Sequence, residues 1–94
     1  MTQAAFYTLP AVLMQAQAQS VADGLVAALR KHLVKGDKAV LDASALTQFD
    51  SSALAVVLAC RRAVLAQGGQ LQVTGLPERA QSLAKVYGVT ALLD

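Results

Sequence analysis

The stretch "LTQFDSSALAVVLACRRAV", Leu46–Val64, decides how this chain folds. A short apolar connection runs into Asp50-Ser51-Ser52, and a long apolar run follows at once. Asp and Ser are residues that accept hydrogen bonds from the free N–H groups opening a helix. The spacing that follows predicts a helix over Ser52–Gln67, with Leu54, Val57, Leu58, Arg61, Val64 and Leu65 on one face. The opposite face holds Ala55, Val56, Ala59, Cys60 and Ala63. A surface helix normally carries charges there. Small apolar groups in their place mean that a neighbouring element covers this face or that a partner docks on it.

On the N-terminal side, "KAVLD" (Lys38–Asp42) reads as a buried strand, and Ser44–Phe49 as a connection that turns Leu46 and Phe49 inward. Further upstream, Val21, Leu25, Ala28, Leu29 and His32 or Leu33 recur at helical spacing. Ser20 and Asp23 resemble a capping box, a start as early as Gln17 also fits, and Gly36 marks the stop. Phe6–Leu9 and Ala11–Met14 look extended on either side of Pro10, forming a weak first strand.

On the C-terminal side, "QGG" (Gln67–Gly69) stops the helix. Gln70–Thr74 alternates as a strand with one buried face. Pro77 opens a last helix whose apolar stripe is Ala80, Leu83, Ala84 and Tyr87, and Gly88 ends it. Strands alternating with helices predict an α/β domain with a small, mostly parallel or mixed sheet of about four strands and three or more helices. Residues 1–94 form one domain.

Composition narrows function. Hydrophobic residues make up 55% of the 94 and charged residues 15%, which excludes disorder and implies that some apolar surface meets another protein. Net charge is +2 with the cations scattered, so no nucleic-acid surface is expected. Cys60 is the only cysteine, which suits a reducing compartment. No Lys or Arg precedes Arg30, so a signal peptide is not expected, and Ala53–Cys60 is too short to span a bilayer. The expectation is a cytoplasmic chain without direct membrane insertion.

Catalytic signatures are sparse. His32 and Cys60 are isolated, and neither a phosphate-binding loop nor a nucleophile elbow occurs. The chain is therefore expected to be non-enzymatic and to carry neither a metal nor another cofactor. A catalytic pair would have to use Asp42 and Asp50, which both follow strand-like runs. Asp50-Ser51-Ser52 reads first as a helix cap. A phosphate on Ser51 would also be favoured by the positive helix end.

"VLDASALTQFDSSALAVVLACRRAVLAQGGQLQVTGLPE", Val40–Glu78, resembles the core of a STAS domain. That fold is shared by anti-sigma-factor antagonists and the cytoplasmic tails of sulfate transporters. The family runs a strand of the pattern V-x-D-x-S into a D-[ST]-[SAG]-[GA]-L turn, then a helix, a glycine and a strand. The likeness extends from Val40 to the end of the chain. Ala53 stands where the family commonly has Gly. Within the family the chain looks closest to the small STAS subunit of the Mla ABC transporter. The tail "LAKVYGVTALL" (Leu83–Leu93) and the short leader "LMQAQAQSVADGL" (Leu13–Leu25) carry that likeness.

The resemblance implies a cytoplasmic accessory subunit, held at the inner membrane through a partner. It would bind and support the ATPase of a phospholipid transporter that maintains outer-membrane lipid asymmetry. The resemblance places the contact at Asp50, Ser51 and Ser52, and the small apolar face of the helix extends it to Ala55, Val56 and Ala59. The alternative it implies is an anti-sigma-factor antagonist, whose partners are an anti-sigma factor and serine kinase and whose phosphorylated residue is Ser51.

Overall fold

The apolar run Lys38–Asp42 becomes the middle strand of the sheet. A computed structural model describes residues 4–92. The elements are β1 (Ala4–Thr8), β2 (Val12–Leu13), α1 (Gln15–His32), β3 (Lys38–Asp42), β4 (Gln48–Phe49), α2 (Ser51–Ala66), β5 (Gln70–Thr74) and α3 (Glu78–Val86), followed by a 3-10 turn at Thr90–Leu92. β1, β3 and β5 form one sheet in that order, and β2 pairs with β4 in a second. Every pairing is parallel, with Phe6 opposite Val40 and Val40 opposite Gln72.

Parallel neighbours need a crossover, and right-handed crossovers that add strands in one direction put their helices on one face. α1 and α2 accordingly share a face. Ala39 and Leu41 of β3 are buried there with Leu29 of α1, Leu33 just after that helix, and Val57 and Val64 of α2. Each large apolar side chain withdrawn from water contributes about 1.5–3 kcal/mol. The reading of β3 as a buried strand holds for one of its faces. The alternate residues Phe6, Thr8, Lys38, Val40, Gln70 and Gln72 lie on the other face, and none of them is buried. Lys, Gln and Thr in those positions suit a wet surface. Phe6 does not, and it is 76% exposed.

The N-terminus of α1 differs from the expected Ser20–Asp23 box. The helix starts at Gln15 with Met14 at the cap. Gln17 Oε1 accepts from the Met14 N–H at 3.1 Å, and the Met14 carbonyl accepts from Gln17 and Ala18. Ser20 and Asp23 therefore lie within the helix, where Asp23 accepts from the Gln19 amide at 2.8 Å. Pro77 caps α3 instead of opening it, because its extended ψ of 151° keeps it outside the helix. Ala80 and Ala84 are buried as expected, but Tyr87 at the end of α3 is 58% exposed.

Candidate functional site

Asp50 organises the Asp-Ser-Ser turn. Its Oδ1 accepts from the Ser52 N–H at 2.8 Å, which makes it the N-cap of α2. Its Oδ2 accepts from the Gln15 N–H at 3.3 Å, in the first turn of α1. One carboxylate thus serves the N-termini of two helices. The short β2–β4 pairing makes this reach available, since it brings Leu13 opposite Phe49 just before each helix begins. Thr47 and Gln48 reinforce it by donating their N–H groups to the Ala11 carbonyl.

The hydrogen bond from the Ser52 backbone is the main reason the Asp50 carboxyl sits below its ordinary range, with a smaller contribution from Gln15. Asp42 is lowered in a similar way, chiefly by the backbone N–H of Ser44 at 2.9 Å. A folded-state pKa below the unfolded value means that the folded chain holds fewer protons than the unfolded chain. The resulting stabilisation is complete above the ordinary carboxylate value of about 3.9 and is lost as pH falls through the lowered folded value. Asp50→Asn should remove part of this acid sensitivity. Urea midpoints measured at neutral and strongly acidic pH should lie closer together in the variant. An unchanged gap would show that the Asp50 charge does not couple to folding.

Asp42 and Asp50 bond to different amides and share no hydrogen-bond partner. The pairing of these two carboxylates considered from sequence gains nothing from that arrangement. Among the described residues, no three His, Cys, Asp or Glu side chains gather as metal ligands would. Cys60 lies buried inside the α2 packing, and burial pushes its thiol up to about 11.

The expected contact residues separate into two groups. Ser51 and Ala55 are exposed, Ser52 and Ala59 are half-buried, and Asp50 is occupied at the two caps. Val56 is only 1% exposed, so it belongs to the core and not to the surface where the sequence pattern put it. Much of the small apolar face of α2 is closed over by α1: Ala18 and Ala22 line a groove of about 260 Å³ together with Ala55, Val56 and Ala59. On the other side of the same ridge, Ser51, Ala55 and Leu58 line a second groove, of about 270 Å³, with Tyr87 and Val89 opposite. Ala55 lines both grooves. Tyr87 and Val89 were not expected at the site. Helical spacing had assigned Tyr87 to the core, and no local signal places Val89.

Ala53, where the family commonly has Gly, is 3% exposed. Its methyl group is turned into the core and leaves Ser51 uncovered.

The one-sided sheet and the capped helix end define an α/β domain that presents the start of α2 to its surroundings. The chain belongs to the STAS-domain family: the family model described as "Mlab, STAS domain" matches residues 11–94, a span that includes α1. β1 lies before the matched span and still completes the sheet. The crystal structure of a sulfate transporter family protein from Wolinella succinogenes is similar in fold, with a TM-score of 0.74 at 14% identity. That similarity covers 100% of this chain and 75% of the other. No curated protein matches the sequence. STAS domains serve as protein-interaction modules. Among the described residues, no helix is long and apolar enough to cross a membrane.

Proposed function

We propose that this chain is a non-enzymatic accessory subunit that docks on the ATPase of an Mla-type phospholipid ABC transporter through the N-terminal half of α2. The reading rests on the exposed Ser51–Ala55 ridge, which stands between two shallow grooves and carries no charge of its own. The family description agrees with it. An uncharged ridge of small residues lets a partner's backbone or side chains approach closely, and Tyr87 adds an aromatic surface beside it. The subunit would work in the cytoplasm, peripheral to the inner membrane through the ATPase, and would need no cofactor. Its site comprises Ser51, Ser52, Ala55 and Ala59, with Asp50 holding the turn in shape. The test is co-purification with the ABC ATPase encoded in the same genome.

A second reading, an anti-sigma-factor antagonist phosphorylated at Ser51, draws on one observation: the Ser51 side chain is exposed at the first turn of α2. A phosphate there would meet the positive helix end, with the Asp50 carboxylate, which already holds the Ser52 N–H, opposing it. Ser51 variants separate the readings. Asp50 supplies the cap, so Ser51→Ala should keep stability within about 0.5 kcal/mol of the parent. In the transporter reading Ser51→Ala weakens ATPase capture modestly. In the antagonist reading Ser51→Ala holds its anti-sigma partner permanently, and Ser51→Asp releases it.

A further inference from the structure

The outer edge of β5 differs in character from the uncharged ridge on α2. Among the described residues β5 ends the β1-β3-β5 sheet, with one of its sides paired. The Gln70 N–H donates to the Asp37 carbonyl and the Thr74 carbonyl accepts from Ala43, which fixes the alternation along the strand. Gln70, Gln72 and Thr74 bond toward β3. Leu71 and Val73 turn their N–H and C=O groups outward. Beside this edge lies a groove of about 440 Å³ lined by Lys38, Arg61, Leu65, Leu71 and the two glutamines. Lys38 and the glutamines belong to the wet face of the sheet, while Arg61 and Leu65 come from α2.

We infer that this edge accepts an extended acidic segment of another protein as an added strand, with apolar side chains against Leu65 and Leu71 on the helix side, carboxylates on the wet side by Lys38, and Arg61 adding to the positive field at the edge. Main-chain bonds to Leu71 and Val73 would supply affinity, and the side-chain groove would supply selectivity. Charge decides the occupant. A second copy pairing edge to edge would bring two Lys38–Arg61 sets together, and cations at an edge oppose that kind of self-pairing. The same cations attract an acidic chain. This inference does not depend on what docks at α2, and its failure would leave that reading untouched.

The probe is a capped peptide of alternating Glu and Val, with an otherwise identical Lys–Val peptide as control. Amide hydrogen exchange is read residue by residue. The Glu–Val peptide should slow exchange at Leu71 and Val73, and the Lys–Val peptide should not. The double variant Lys38→Glu with Arg61→Glu should weaken Glu–Val binding about tenfold or more while leaving the thermal midpoint close to that of the parent. If this variant loses its fold, the same weakening is sought in the parent protein as ionic strength is raised from about 0.01 M to about 1 M, which shortens the screening length from about 30 Å to about 3 Å. Three results overturn the inference: no protection at peptide concentrations up to about 1 mM, equal protection by both peptides, or concentration-dependent protection of Leu71 and Val73 without any peptide. The last would assign the edge to a second copy.

Discussion

Ala55→Glu is expected to abolish capture of the ABC ATPase while leaving the domain folded. Ala55 is exposed and lines both grooves beside the α2 ridge, so a partner seated on the ridge would cover it. A carboxylate placed there would be desolvated under the partner, with Arg62, the cation lining one of the grooves, two helical turns away, a loss of about a hundredfold or more in affinity, or about 3 kcal/mol. The native side chain touches little, so the thermal midpoint should stay near that of the parent. Ala27→Glu, at an exposed alanine of α1, controls for added charge. Co-purification and a direct affinity measurement report the outcome. If Ala55→Glu binds as the parent does, the start of α2 is not the docking face.

Gly75→Val is expected to have the largest effect on the fold. Gly75 has φ of 67° and follows β5 where the chain turns toward α3. A side chain there would place its Cβ 2.8 Å from the Ser44 Cβ and 3.1 Å from Asp42 Oδ1. The new residue would meet backbone strain and a clash at once, and relieving the clash would disturb the Asp42–Ser44 hydrogen bond. A β-branched residue fares worst in the left-handed region. The combined loss should be about 3 kcal/mol or more, a large part of the roughly 5–15 kcal/mol that holds a small domain together. Urea unfolding measures it. Gly24→Ala provides the contrast in the same experiment. Gly24 sits within α1 with open space where a Cβ would go, and the alanine should raise stability by about 0.5–1 kcal/mol. A Gly75→Val protein as stable as the parent would mean that the corner can open without cost.

The features legible in the sequence are those that depend on near neighbours. β3 and β5 fall on the expected residues, and α2 begins within one residue of its predicted start because Asp50 and the apolar run act locally. The Asp50 cap is likewise a short-range signal. The bond from Gln15 to the same carboxylate joins residues 35 apart, and no pattern along the chain announces it. The two-residue β4 was missed for a similar reason: Gln48–Phe49 is too short to show alternation and exists only because β2 lies beside it. Val56 and Tyr87 exchange their expected places because a helix wheel shows which residues share a face but not which neighbour arrives to cover it. α1 covers Val56, while α3 ends before Tyr87 can reach the core. The start of α1 was misplaced because a serine followed by an aspartate imitates a cap. The actual cap uses a glutamine and the backbone of a methionine.

The wholly parallel sheet sets the pace at which the molecule must form. Phe6 pairs with Val40 and Val40 with Gln72, separations of 34 (40 − 6) and 32 (72 − 40) residues. No hairpin can close either ladder, so each strand must wait for its crossover helix to be placed. Loop-closure entropy is lost before those contacts form, which slows folding relative to a helical bundle of equal length. During synthesis the middle strand emerges well before β5, leaving one of its edges without a neighbour until the last quarter of the chain arrives. The nascent domain therefore exposes a temporary pairing edge that the finished protein conceals.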